Sequence, residues 1–307
     1  MNVSKNFAYG LMVLAAVMWA TSGTLTELSY RAGATPMDVI FFQTAMTAGI
    51  LGIAVGLLDR KSLMIRKKDF WPFFAFSIIT GAFFAIAWYY CIDMVGVTTA
   101  VILLYMYPSM VTIASVSFLG EKLDRAKILA LPLTFAGGVM VAGLRDIEGG
   151  LQFDMLGILL GLYAAVAAAI YYIWGKKFLE KNSANTVVFY MMMLSVPVLF
   201  ILGNPVEIVQ TNLGIEAWGY ILAMAVIPGT IGFLLSMIAL NIIEASKASI
   251  IASIEPAVAV AFACAILAED INGYQMIGVA LVTIGVVLLR LKEEDASKEK
   301  PKLPPTK

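Results

Sequence analysis

Histidine is absent from the 307 residues, cysteine occurs twice, and charged side chains make up only 14% of the chain. No imidazole can relay a proton, which leaves carboxylates as the groups able to exchange protons inside the protein. Cys91 and Cys264 both fall in apolar runs, where the thiol serves as a small packing group and a disulfide framework has little support. The chain has no GxxxxGKS/T loop to cradle a nucleotide phosphate, no HExxH and no GxSxG. ATP is therefore excluded as a direct driver. An enzyme would need a convergent nucleophile, base or metal set that these absences remove, so no catalytic residue, metal ligand or cofactor is assigned. A net charge of zero gives no electrostatic reason to expect a nucleic-acid partner.

What fills the chain is hydrocarbon. The hydrophobic fraction is 61%, against roughly 45–50% in ordinary soluble domains. Apolar runs long enough to cross a bilayer recur along nearly the whole sequence. Ten spans are expected, near residues 8–29, 37–58, 70–91, 97–119, 127–144, 155–175, 186–202, 217–240, 246–267 and 275–291. The first run is too long for the apolar region of a signal peptide. The fold class is thus an all-α polytopic membrane protein, with the lipid bilayer as its main partner.

Charge placement orients the spans. With the amino terminus on one side, 19 of the 21 Lys and Arg residues share that side, and only Arg31 and Arg145 face the other. Cytoplasmic loops retain Lys and Arg, so both termini are expected in the cytoplasm of a cell-membrane protein. The tail over 292–307 is charged and proline-bearing, and is expected to be disordered.

The chain also repeats. At a constant offset of 148 residues, 70–143 align with 218–291 without a gap, pairing Gly81 with Gly229, Pro108 with Pro256, Glu121 with Glu269 and Gly137 with Gly285. Only 11 of the 74 pairs are identical, but they include the residues that end or bend helices. Two units follow, 1–147 and 148–291, of five spans each. Five is odd, so the second unit enters the membrane from the opposite side, and the repeat is inverted. Such repeats give secondary transporters a central site that can open to either face.

Two stretches carry a family likeness: YMYPSMVTIASVSFLGEKLD at 105–124, followed by LTFAGGVMVAGL, and KASIIASIEPAVAVAFACAILAEDINGYQMIGVALVTIGVVLL at 247–289. Each has a Pro, a Glu thirteen residues on, and a Gly-bearing last span. The chain resembles the EamA family of the drug/metabolite transporter superfamily over all ten spans. The resemblance implies a secondary carrier of a small metabolite, more often an exporter, and leaves the cargo open.

Glu255 is the residue that most needs explaining. A charge at the bilayer centre costs about 2.5 kcal/mol or more, so it needs a partner or a cavity. It lies eight residues beyond Lys247, about 12 Å along a helix. Pro256 follows it and leaves the Ala252 carbonyl without its usual donor. Its repeat counterpart is Tyr107, before Pro108. Glu255 is read either as the coupling and substrate-binding carboxylate or as a structural hydrogen-bond acceptor. Lys247 either snorkels outward or meets a substrate carboxylate, pairing with Glu244 or Glu255. Trp19, Ser22, Gln43, Trp88, Tyr105, Tyr171, Trp174 and Ser236 add polar and aromatic walls at helical spacing, suited to stacking or cation–π contact. Glu121 and Glu269 are read as structural span ends, and Gly137 and Gly285 as sites of close helix packing or a dimer face.

The expected function is secondary active transport of a small metabolite, such as an amino acid, by alternating access with proton coupling. The alternative is an uptake carrier or facilitator for an amine, quaternary ammonium or nucleoside-type solute. The protein is expected as a monomer or homodimer.

Overall fold

In a computed structural model, residues 5–58, 60–143, 154–267 and 272–298 are described, and all the regular elements among them are helices. In chain order they are α1 (Lys5–Arg31), α2 (Pro36–Leu58), α3 (Phe70–Ser77), α4 (Phe83–Leu104), α5 (Tyr107–Leu119), α6 (Arg125–Gly143), α7 (Met155–Leu179), α8 (Ala184–Leu202), the short α9 (Pro205–Gln210), α10 (Ile215–Met224), α11 (Phe233–Ile242), α12 (Ala245–Ala252), α13 (Glu255–Leu267) and α14 (Gly273–Lys298). Wider π-helical turns join α3 to α4 over Ile78–Ala82 and α10 to α11 over Ala225–Gly232.

Among the described residues, eight helical stretches are long and apolar enough to cross a membrane by length and composition, and Gly273–Leu289 is a shorter apolar helix. Their outer surfaces are greasy: Ile113 and Ile201 are 71% and 70% exposed, a surface that suits lipid rather than water.

Helix α4 is helical throughout 83–104, yet it doubles back. A Cβ built on Gly161 of α7 would touch both Cys91 Sγ at 2.9 Å and Leu103 Cβ at 2.9 Å. In a straight helix those residues would stand about 18 Å apart. The chain therefore reverses between them, where sequence places the turn between two spans.

The 148-residue offset governs the structure well beyond the window where sequence reveals it. α1 ends at Arg31 and α7 at Leu179; α2 begins at Pro36 and α8 at Ala184; α6 begins at Arg125 and α14 at Gly273. The caps match too. Thr35 Oγ1 accepts from Asp38 N at 3.2 Å, and Ser183 Oγ from Thr186 N at 3.2 Å. Asp124 Oδ1 accepts from Lys127 N at 3.0 Å, and Asn272 Oδ1 from Gln275 N at 2.9 Å. Each side-chain oxygen satisfies a first-turn amide that has no partner within its helix.

Contacts between the halves are reciprocal at the same offset. Ser195 Oγ donates to Ser77 O at 2.9 Å, and Thr47 Oγ1 to Ala225 O at 3.1 Å. The same two hydroxyls lie against Gly81 and Gly229. Helices α6 and α14 cross through their glycines. A Cβ on Gly137 would stand 2.7 Å from Gly278 O, and one on Gly278 2.7 Å from Gly137 O; one on Gly285 would meet Thr134 Cγ2 at 2.8 Å. Gly137 and Gly285 thus sit in an intramolecular crossing, where backbones approach as lipid-embedded helices require.

α14 runs on to Lys298, so residues 292–298, at the start of the charged tail, are helical. Leu291, Lys292, Glu293, Glu294 and Ala296 are all strong helix formers, and they extend a helix already nucleated in the membrane. Residues 299–307 lie outside the described residues.

Gly137→Ala and Gly278→Ala each press a methyl onto backbone and should destabilise by about 1–3 kcal/mol. The check is a lower thermal midpoint in detergent. Gly219→Ala, whose new Cβ meets nothing within 4 Å, should leave the midpoint unchanged or slightly raised.

Candidate functional site

Both halves break a helix at the same place. α4 stops at Leu104 and α5 starts at Tyr107; α12 stops at Ala252 and α13 starts at Glu255. In the second break Ser253 N donates to Ile250 O at 3.2 Å and Ile254 N to Ile251 O at 3.1 Å, a tightening to three-residue turns. Pro256, one residue on, has no N–H to give the Ala252 carbonyl. Glu255 and Tyr107 therefore occupy equivalent helix starts, each directly before a proline.

Around Glu255 the polar groups are phenols and hydroxyls. Its carboxyl lies beside the Tyr105 ring, which meets Tyr107 with centroids 5.8 Å apart. Tyr107 donates to Ser249 O at 3.3 Å and stacks on Tyr172, with centroids 5.7 Å apart and planes 3° from parallel. Tyr172 meets Tyr171 edge-on at 5.3 Å, and Tyr171 meets Trp19 at 6.4 Å. The Tyr171 hydroxyl and Ser236 Oγ are 2.6 Å apart. An unbroken series of rings thus links Trp19 on α1 to the Glu255 carboxyl. One carboxylate among ring faces and phenolic donors can hold a cationic group by charge and cation–π contact, and can exchange a proton.

Most of the residues singled out from sequence fall in or beside this cluster. Trp19, Tyr105, Tyr107, Tyr171, Ser236 and Glu255 are joined by the contacts above, while Ser22 and Gln43 are half-buried on α1 and α2. Trp88 packs elsewhere, against Cys91, Val95 and Ala100. Trp174 is 36% exposed and makes none of these contacts. Tyr172, which sequence spacing passed over, is 3% exposed and takes the central place. Helix α7 packs against α4, α5 and α11 on several sides, so a single i, i+3 stripe does not define its inner face. Glu269 lies outside the described residues.

Of the two carboxylates that sequence offers Lys247, the ion pair is with Glu244. Lys247 Nζ stands 3.5 Å from Glu244 Oε2, at the helix end. An open apolar groove of about 510 Å³, lined by Phe41, Ala45, Ala48, Gly49, Met193, Val196, Pro197 and Phe200, runs between α2 and α8. It holds none of the candidate residues.

At the basic end of the bundle, ions tie the halves together. Glu121 accepts from Ala245 N at 2.6 Å and Ser246 N at 3.2 Å, and also from Ser246 Oγ, capping α12 of the other half. The fully buried Lys127 pairs with Glu244 at 2.7 Å and Glu121 at 3.6 Å, and donates to Lys122 O at 2.8 Å. Burial pushes the Glu244 carboxyl up, but the Lys127 hydrogen bond and the charges of Lys247 and Lys127 outweigh it and hold it below its ordinary value. A depressed carboxyl contributes stability present above its unfolded pKa and lost as pH falls through the folded one. The Glu244 side of the latch therefore holds at neutral pH and weakens as the pH falls into the acid range.

Lys127→Met should cost about 3 kcal/mol, because it removes the buried cation between the Glu121 and Glu244 carboxylates. Adding Glu121→Gln should recover part of that loss. A double-mutant cycle on the thermal midpoint checks the coupling, and strict additivity would contradict it.

Comparisons with known proteins agree with this picture. The sequence matches the EamA-like transporter family twice, over residues 6–143 and 155–291. It is 26% identical to an uncharacterized transporter of Archaeoglobus fulgidus, over 90% of this chain and 94% of that one. It is 23% identical to the pseudopaline exporter CntI of Pseudomonas aeruginosa, over 70% and 73%, and 25% identical to the aromatic amino acid exporter YddG of Ancylobacter novellus, over 57% and 60%. A solved crystal structure, 20% identical, shares the fold with a TM-score of 0.80 over 95% of this chain and 99% of that one. With both of its halves matched, the chain belongs to the EamA-like transporter family of the drug/metabolite transporter superfamily.

Proposed function

We propose that the protein is a secondary carrier that exports a small metabolite across the cell membrane by alternating access, with Glu255 as the proton-coupling and solute-binding carboxylate. Ten spans in two five-span halves, 1–147 and 148–291, enter the membrane in opposite directions. The equal helix ends, matched caps and reciprocal Ser195 and Thr47 contacts support that reading, since an exchange of equivalent contacts is what a twofold relation produces. The charge split of Lys and Arg puts both termini in the cytoplasm. On that reading the basic-end latch lies on the cytoplasmic side and serves to close it.

The carrying observation is Glu255: an acid in an apolar span, at a helix break, beside Tyr105 and reached by a series of aromatic rings. A merely structural role would not require the break. The named relatives export pseudopaline and aromatic amino acids, which supports export of a metabolite with a protonated amine or an aromatic group. The position of Lys247, beside Glu244, favours a second reading in which the solute is an amine or quaternary ammonium and its carboxylate is not required.

Thermal-shift screening of the purified protein against amino acids, nucleosides, amines and quaternary ammoniums, followed by counterflow in liposomes, tests the proposal. Glu255→Gln should abolish flux driven by a pH gradient while the protein keeps its thermal midpoint. Undiminished pH-driven flux in that variant removes Glu255 as the coupling group. Absence of exchange of any stabilising solute by the unaltered protein removes the carrier reading.

A further inference from the structure

Among the described residues, the buried side-chain nitrogen and oxygen atoms left without a hydrogen-bond partner are Tyr9 Oη, Trp19 Nε1 and Tyr30 Oη. All three belong to α1. A buried polar atom without a partner keeps the full cost of leaving water, so three along one helix ask for a cause.

Their spacing supplies one. At 100° per residue, Tyr9 and Tyr30 lie about 80° and 20° around the helix from Trp19, so the three share one face. At 1.5 Å per residue they stand about 15 and 16.5 Å apart, together about 32 Å, close to the thickness of a hydrocarbon core. The face thus offers a polar atom near each end and one in the middle.

Their surroundings also fit a route. Trp19 Nε1 lies against Gly232 in the π-helical turn, where a Cβ would stand only 2.9 Å away. Its ring meets Tyr171, which leads to Glu255. Tyr30 lies near Tyr89 and Glu27 at the far end of α1. Tyr9 is 4% exposed and shares a core cluster with Tyr105 and Tyr107.

We propose that this face of α1 lines the solute's path, with Tyr30, Trp19 and Tyr9 as successive hydrogen-bonding stations between the two ends of the bundle. The inference rests on the carrier reading and adds a demand on the solute. An indole N–H can only donate, so the central station requires an acceptor oxygen, such as a carbonyl, carboxylate or hydroxyl oxygen, beside the group that meets Glu255.

The test uses single cysteines at the three positions, Tyr9→Cys, Trp19→Cys and Tyr30→Cys, in a chain carrying Cys91→Ala and Cys264→Ala. Proteoliposomes are treated with the impermeant thiol reagent methanethiosulfonate ethyltrimethylammonium. Thiols react as thiolates and need water, so path positions should react at least about tenfold faster than Leu14→Cys, which sits on the exposed face of α1. Rates equal to that control overturn the proposal. Tyr9→Phe and Tyr30→Phe in the unaltered background give a second reading that does not depend on the cysteine variants folding. Removing a hydroxyl without a partner should leave the thermal midpoint unchanged or raised; a fall of several degrees would show that the hydroxyl is a structural bond, and overturns the proposal. Counterflow in the same vesicles separates the two ideas. Exchange without labelling overturns the path and leaves the carrier standing, whereas labelling without exchange overturns the carrier reading.

Discussion

A backbone in hydrocarbon has no water to pair with, so each break in a membrane helix must be enclosed by protein that takes over its hydrogen bonds. This constraint organises the chain. Ser77 Oγ donates both to Phe73 O and to Tyr190 O across the halves; Thr230 donates to Ala225 O, and Tyr163 to Ile79 O in the first π-helical turn. Short hydroxyl side chains at these depths stitch irregular backbone to its neighbours. They also explain why the π-helical turns lie between the halves, where partners exist, and not on the lipid face.

The same constraint places the site. Breaks at 105–106 and 253–254 expose backbone only where Tyr107 and the serines of α12 can cover it. A carboxylate at a break meets oriented dipoles and phenols instead of lipid, which lowers the cost of keeping it in the membrane. Glu255 is thus affordable because of the break that Pro256 helps make, and the aromatic series is affordable because α7 is surrounded.

Much of this was legible in the chain itself. Apolar runs gave the helices, and the recurrence of Pro, Gly and Glu at 148 residues gave the repeat. The repeat in the amino-terminal part of each half was hidden because identity was the measure. Thr35 and Ser183, Asp124 and Asn272, and Thr47 and Ser195 differ in letter but share a side-chain oxygen at the same reach. Chemical equivalence at caps and contacts outlasts identity. The central place of Tyr172 is not legible from spacing for a different reason: periodicity finds the inner face of a helix with one wet or lipid side, and α7 is enclosed on several. The double-back of α4 shows in the glycine of its neighbour and not in its own backbone pattern.

Where the two halves share residues they build the frame, and where they differ they give it direction. The charged latch at the basic end uses Lys127 and Glu244, whose counterparts at the offset are Gln275 and Gly96. Gln275 reaches Val141 O at 3.5 Å, a weak neutral contact. An exact repeat would make the two closed ends equal in energy. Under the proposed alternating access, exchanging an ion pair for an amide and a glycine makes them unequal, and a difference of about 1.4 kcal/mol already shifts such an equilibrium tenfold. The other divergence is Glu255 against Tyr107, an acid against a phenol at equivalent helix starts. In the proposed cycle the first divergence biases which end is shut, and the second sets a carboxylate in one half where the other half has a phenol.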